Sequence, residues 1–379
     1  MDIIGRSIGS EETSACIVNS LECLGNMIPS RDLVITGDKR IIPTLLSMTK
    51  EGIYRIPSSA YDYSNSVEIW RSFIAPLDTI TSEVRRIFRS YITELYSLIF
   101  SNNPFIHEDY QIYLNIDTPH HWTISQINEL EFFLRNECGV SFTEIVKTRN
   151  SLVCGFKHCI LSGFRNLHDK QCIVQYTDKT LRLMYFNPID NTILESCYPL
   201  GANRIDKIVF DYLLSENPQN RENIEHIKRE YPEVEVTARF LECINEWKYQ
   251  MELFYSQRPF TFPEIPLSSI VLNKSYNRGL YFETSDSSSI TYNTYKAVLS
   301  SYIVNIYDAF RDFKHRCNNE LPSFVYATGK ACRFHFFQEI VSDVYNVLRG
   351  ESLFSDLNPE MSLARGTAVY GYSSIMGKI

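Results

Sequence analysis

The segment Phe324-Val-Tyr-Ala-Thr-Gly-Lys-Ala-Cys-Arg-Phe334, running on through His335 to Tyr345, constrains the fold more tightly than any other stretch. Residues 324–327 read as a buried strand and Gly329 as a turn. A helix follows from about Phe334, because Phe336, Phe337, Ile340, Val341, Val344 and Tyr345 recur near the 3.6-residue period. A strand-to-helix turn with glycine at its apex lets a ligand lie against bare backbone, with helix-start N–H groups pointing at it. On periodicity alone the plainer reading, a strand–turn–helix packing unit, is the commoner one.

The chain has 379 residues, long enough for two or more packed units. A hydrophobic content of 44% with 13% aromatic residues argues for ordered globular structure. The formal charge of −8 and the absence of a basic stripe interleaved with aromatics argue against a nucleic-acid partner. Ten cysteines without a Cys-x-x-Cys pair, in a chain that starts without a signal-peptide pattern, read as reduced thiols of a cytoplasmic protein. Cys154, His158 and Cys159 are close in sequence, but no second ligand pair completes a zinc set, so no metal site is expected. No apolar run approaches the roughly 18 residues of a membrane span. Thr328-Gly329-Lys330 is not a P-loop: Phe324 stands where that motif needs glycine, and Ala331 where it needs Ser or Thr.

Thr328-Gly329-Lys330-Ala331-Cys332-Arg333-Phe334 with Gln338, followed by Asn358-Pro-Glu-Met-Ser-Leu-Ala-Arg-Gly-Thr-Ala-Val-Tyr370, resembles the adenosine-contacting end of DnaK-type heat-shock chaperones, members of the actin-like ATPase superfamily. The family has a second glycine where this chain has Lys330. The resemblance extends more weakly over most of residues 1–371. It implies an α/β fold of two lobes, each a mixed sheet flanked by helices with a smaller outer subdomain, and a nucleotide cleft between them. Lobe I would span residues 1–160 with its outer subdomain at about 40–108, and lobe II residues 161–379 with its outer subdomain at about 216–290. Because the chain ends at Ile379, no substrate-binding domain is expected.

Taken in order, residues 2–18 read as a hairpin turning at Gly9-Ser10. In the resembling family this hairpin cradles phosphates, with Asp before the glycine and Thr after it. Here Ser7 falls at the Asp position, and Ser10 and Glu11 take the Thr positions. Arg71 or Trp70 falls at the family's catalytic Lys; the plainer reading of Arg71 is a surface residue on an amphipathic helix. Residues 78–101 carry the apolar stripe of such a helix, Tyr110 to Ile116 reads as a buried strand, and a helix from about Ser125 to Glu137 is closed by Gly139. Thr148 stands where the family places a Glu that positions water; His120 and His121, flanking Pro119, read as solvent-facing.

The second phosphate hairpin should lie within residues 172–186. Of the family's Asp-x-Gly-Gly-Gly-Thr, Gln175-Tyr-Thr-Asp178-Lys-Thr180 keeps only Thr180. Side chains there restrict positive φ and crowd the phosphate space. Leu200-Gly201-Ala-Asn-Arg-Ile-Asp206 matches a family segment that opens a helix. On the helix of residues 240–255, Asn245, Lys248 and Tyr249 fall where the family offers Glu, Lys and Arg to adenosine, although a lone helical Lys is usually solvated.

The resemblance therefore implies ATP or ADP as ligand, with Gly9, Ser10, Thr180, Gly201, Lys248, Gly329, Lys330 and Arg333 as nucleotide-binding candidates. Losing the Asp, Glu and glycine positions argues against Mg²⁺ and against efficient hydrolysis, since phosphoryl transfer depends on positioning and charge stabilisation. The expected function is a chaperone-like nucleotide-binding-domain protein, weak or inactive as an ATPase, acting as a scaffold for a protein partner. The alternative is an active Mg-ATP-dependent ATPase or switch in which Asp178 or Glu11 serves the metal and Arg71 the γ-phosphate; a third class is an actin-like filament.

Overall fold

The computed structural model of the chain describes residues 1–9, 12–24, 27–57, 66–71, 73–116, 123–161, 170–187, 189, 192–216, 218–230, 236–253, 260–261, 265–266, 279–280, 289–355 and 358–377. The protein is a mixed α/β chain that divides into two compact units, residues 1–167 with 356–379, and residues 168–355. Residues 356–379 join the first unit, not a second lobe of residues 161–379 as the resemblance implies. His120, His121, Ser10 and Glu11 lie outside the described residues, as do the side chains of His158 and Cys159.

The first unit opens with β1 (Asp2–Ile8) and β2 (Glu12–Asn19), the antiparallel hairpin expected from the sequence. The short β3 (Ser30–Asp32) and β4 (Ile41–Pro43) both pair antiparallel to β2. β5 (Leu45–Thr49), β6 (Tyr54–Arg55) and β7 (Ser66–Arg71) form a separate small sheet. Helix α1 (Ser82–Asn102) starts on a Thr81 cap and buries Ile87, Phe88, Tyr91, Ile92 and Leu95 of the stripe expected from the sequence, together with Ile99, while Val84 is half-buried. It leads to β8 (Tyr110–Ile116), parallel to β1. Thr123 and Gln126 form a capping box that starts α2 (Ile124–Phe132). β9 (Glu144–Ile145), parallel to β8, and α3 (Thr148–Leu161) follow.

The second unit repeats this plan. β10 (Gln171–Tyr176), β11 (Leu181–Asn187) and β12 (Thr192–Tyr198) form an antiparallel meander. Then come α4 (Asn203–Glu216), α5 (Pro218–Glu230) and α6 (Val236–Leu253). The helix expected over residues 240–255 is described as far as Leu253. Short pairs follow: β13 (Phe260–Thr261) with β16 (Ser289–Ile290), and β14 (Ile265–Pro266) with β15 (Gly279–Leu280). Helices α7 (Tyr292–Val298) and α8 (Ser300–Arg316) return the chain to β17 (Phe324–Thr328), parallel to β10. A 3₁₀ turn over Lys330–Arg333 leads into α9 (His335–Tyr345), and β18 (Leu353–Ser355) completes the sheet parallel to β17.

The two main sheets thus share one strand order and one pattern of directions: β3-β2-β1-β8-β9 in the first and β12-β11-β10-β17-β18 in the second. In each, an antiparallel hairpin is followed by two parallel strands reached through helices, the crossover connection that parallel pairing requires. No helix among the described residues is long and apolar enough to cross a membrane.

Helix α10 (Ser362–Ile375) returns to the first unit and packs on β1 and α3 through small residues. A Cβ at Gly5 would lie 2.2 Å from Ala368 N, and one at Gly366 would lie 1.9 Å from Ser151 O. No side chain fits between these backbones, which explains the small residues Ala364, Gly366 and Ala368, while Arg365 between them pairs with Asp32. Arg6, on the opposite face of β1, is fully buried, with its guanidinium 3.6 Å above the Tyr96 ring.

Two substitutions test this packing by chemical denaturation. Gly366→Val should destabilise the protein by about 3 kcal/mol, because the close approach leaves no room for a branched side chain. Arg6→Met should raise stability, by about 1 kcal/mol or more, because it replaces a desolvated charge with an apolar side chain of similar length.

Candidate functional site

In the second unit the candidate residues converge on the turn of the β10–β11 hairpin. Residues 177–180 close through Thr177 N to Thr180 O at 3.0 Å, while Thr177 Oγ1 accepts from Thr180 N at 3.1 Å. Thr180 is thus part of a self-bonded turn. The first N–H groups leading into α4 are spoken for by the same turn: Ala202 N donates to Thr177 O at 3.0 Å and Asn203 N to Asp178 O at 2.9 Å. A helix start is a ready anion site only while its N–H groups lack partners.

Both candidate glycines in this unit are required by that hairpin. A Cβ at Gly201 would fall 2.2 Å from Asp178 O, and one at Gly329 would fall 2.4 Å from Tyr176 O. Gly329 also has φ +85°, which disfavours other residues. The sequence reading left the bare backbone of Gly329 open to a ligand; the Tyr176 carbonyl lies against it instead.

The Asp178 side chain points into the unit. It accepts from Lys248 Nζ at 3.1 Å, from the Tyr249 hydroxyl at 3.0 Å and from Asn245 Nδ2 at 3.4 Å. Lys248 is fully buried rather than solvated. Its ammonium also meets Asp206 Oδ1 at 2.8 Å and donates to Ala202 O at 2.8 Å. Asn245, Lys248, Tyr249 and Glu252 share one face of α6 because they are spaced by three and four residues. Half-buried Lys330 places its ammonium 4.2 Å from the centre of the Tyr249 ring, and that ring lies 4.9 Å from Phe334. Arg333 is exposed.

Electrostatics divides the two aspartates. Burial alone would push the Asp178 carboxyl up, but the Lys248 and Lys330 ammoniums and the bonds from Lys248 and Tyr249 outweigh it, holding the group below its ordinary 3.8. Burial raises Asp206 to about 6, an effect that Lys248 only partly offsets and Asp178 increases. Glu252 was not singled out in the sequence. It accepts from His335 N at 2.8 Å and from the Tyr292 hydroxyl at 3.2 Å, so it occupies the start of α9, and burial raises its carboxyl to about 7. Its spacing one turn after Lys248, on the face of the other candidates, was the available signal.

In the first unit Gly9 lies in the hairpin connection, where its N–H donates to Glu12 O at 2.8 Å and its carbonyl accepts from Thr44 Oγ1 at 2.7 Å. Ser7 and Thr148, the positions where the family has carboxylates, are brought together by Asn115. Ser7 Oγ donates to Asn115 Oδ1 at 3.4 Å, and Asn115 Nδ2 donates to Thr148 Oγ1 at 3.1 Å. The cluster is neutral. Arg71 is half-buried on strand β7 opposite Leu45, not on a helix. Among the described residues no group of three or more His, Cys, Asp or Glu is placed to hold a metal ion. In comparisons with known proteins, no family model matches this chain and no curated protein matches it.

Lys248 is the group whose loss should cost most. Lys248→Met leaves two carboxylates facing each other and should cost about 3–5 kcal/mol in urea denaturation at pH 7. Asp178→Asn, which leaves Lys248 with Asp206, should cost less. Because the folded Asp178 carboxyl lies below its unfolded value, its contribution is complete above about pH 4 and fades as pH falls through the lowered value. The acid limb of the stability curve should therefore flatten in Asp178→Asn.

Proposed function

We propose that this chain is a nucleotide-binding-domain relative of the actin-like ATPase superfamily, of the DnaK type, that works as a scaffold for a protein partner rather than as an efficient ATPase. Two kinds of observation support the reading. The strand order occurs twice, with a hairpin and two parallel strands each time, as a two-lobed ATPase of this superfamily would require. Of the second-unit residues that the resemblance assigns to nucleotide, Lys248 is bonded to Asp178 and Asp206, Thr180 to Thr177, and Lys330 lies over the Tyr249 ring.

The observation that carries the proposal is the Asp178 carboxylate on Lys248. It puts an anion of the chain itself on the cation that would meet a nucleotide. Tyr249 beside it contacts both Lys330 and Phe334, residues of the segment to which the resemblance gives adenosine. Among the described residues, those at the expected positions do not fit a hydrated Mg²⁺ ion; Glu11 lies outside the described residues. Asp178 is taken by an ammonium, and Ser7, Asn115 and Thr148 offer neutral oxygens and an amide bonded among themselves. Asp178 as a metal ligand would have to give up Lys248 first, so the scaffold reading is the stronger of the two.

Isothermal titration with ATP and with ADP, each with and without Mg²⁺, tests it. The expected result is no binding at micromolar nucleotide and no effect of Mg²⁺. Micromolar, Mg²⁺-dependent binding lost in Asp178→Asn would establish the active-site reading in its place.

A further inference from the structure

We propose that the second unit contains a proton-linked latch, in which a buried excess of carboxylates (Asp178, Asp206 and Glu252) over ammonium groups keeps Asp206 and Glu252 protonated, and release of the Asp206 proton loosens the hold on the turn at residues 177–180. The inference concerns the second unit alone and does not rest on the nucleotide reading.

Charge counting on named groups leads to it. The turn contributes Asp178, with Lys179 exposed. From α4 comes Asp206; from α6 come fully buried Lys248, Tyr249 and Glu252, the last only 3% exposed. Tyr292, Tyr295 and Lys296 face Glu252 from α7, and Tyr176 from β10 and Tyr302 from α8 face the interior of the same cluster. On the side of α9 stand Lys330, His335 and Glu339. Lys296 is bonded to Glu339 at 2.8 Å, and His335 Nε2 lies 3.3 Å from Glu339, so these outer groups are matched to each other. What remains inside is three carboxylates against Lys248 and the half-buried Lys330.

One carboxylate is thus in excess in a place with little water. A buried charge without a counter-charge is costly enough that the group takes up a proton instead. Glu252 has no ammonium at bonding distance among the described groups, since its bonds come from a backbone N–H and a phenol. Asp206 shares its ammonium with Asp178. Burial raises both, Asp206 to about 6 and Glu252 to about 7, so desolvation adds to the charge excess in keeping the two protonated.

Protonation reaches the turn through Lys248. With Asp206 neutral, the ammonium is held by Asp178 alone among the charged acceptors. With Asp206 ionised, a second carboxylate draws on the same Nζ and its charge repels Asp178. Both raised acids hold protons that the unfolded chain, with ordinary values of 3.8 and 4.5, has released. Stability from this cluster therefore falls as pH rises from about 4.5 towards 7, opposite in sign to the acid limb set by Asp178.

The test uses the whole protein. Its Asp and Glu side-chain carboxyls are followed by ¹³C NMR from pH 4.5 to 8.5, alongside hydrogen exchange at the Ala202 and Asn203 amides, which donate to the turn. The expected result is two carboxyls titrating near pH 6 and 7, one lost in Glu252→Gln and the other in Asp206→Asn. Protection of the two amides, corrected for intrinsic exchange, should fall by about tenfold across this range, corresponding to coupling of one pK unit. In Asp206→Asn that fall should shrink. Should either variant fail to fold, the wild-type titration still decides: all carboxyls titrating below pH 5, or amide protection independent of pH, overturns the proposal.

Discussion

Lys248 is an ammonium withdrawn from water, and most of the second unit's geometry follows from the need to satisfy it. Its three contacts, to Asp178, Asp206 and the Ala202 carbonyl, come from a hairpin turn and the start of a helix. Meeting them draws the turn onto the start of α4 closely enough that position 201 can only be glycine. The same approach is braced from behind. Tyr176 stacks on Phe337 with ring centres 4.3 Å apart, and its hydroxyl lies 2.7 Å from that of Tyr302. Tyr302 in turn reaches the carbonyls of Leu200 and Gly201 at 3.0 and 2.9 Å. A buried ion pair gives little net stability over apolar packing, but it tolerates few alternative arrangements. In this unit its effect is to fix where the turn sits.

The first unit meets the same strand order with different chemistry. Where the second unit has an ammonium between carboxylates, the first has hydroxyls and one amide: Ser7 with Asn115 and Thr148, and Thr13 with Thr44 at 2.9 Å and with the Tyr91 hydroxyl at 2.6 Å. Neutral groups can be fully bonded at little electrostatic cost and do not titrate near neutral pH. One architecture therefore holds a neutral hydrogen-bonded set in one unit and a charged set in the other. Topology alone does not set the chemistry of a strand end.

The sequence was most legible where a period or a cap decides structure. The strand Tyr110–Ile116, the apolar stripe of α1, and the succession of β17, Gly329 and α9 all follow from local pattern and appear with almost the expected bounds. Burial of charge was less legible. Lys248 read as solvated because a single lysine on a helix gives no sign of the two aspartates that meet it, 70 and 42 residues earlier in the chain. Glu252 passed as one more charge in a charged region, although its spacing from Lys248 put it on the inward face. For Arg71 the sequence left a phosphate-facing residue and a surface residue of a helix both open, because its neighbours alternate too briefly to separate a short edge strand from a helix start; pairing with Leu45 places it on a strand. Return of the last helix to the first unit was beyond local pattern altogether, being a matter of which backbones can approach Gly366.

That last point bears on how motif glycines are weighed. Gly201, Gly329 and Gly366 stand in segments that resemble a nucleotide-binding family, yet in this chain each is explained by a neighbouring backbone within 2.4 Å of where its Cβ would be. Close packing would demand them whether or not any ligand were present. They support the fold and carry no weight on what it binds. The positions that can distinguish a working site from a closed one are those with side-chain chemistry: Asp178, Lys248, Tyr249 and Lys330 in one unit, Ser7 and Thr148 in the other. Asp178 is bonded to Lys248 and Tyr249, Lys330 lies over the Tyr249 ring, and Ser7 and Thr148 are bonded to Asn115. A ligand entering here would have to displace the chain's own contacts, whereas a protein bound elsewhere on either unit would leave them intact.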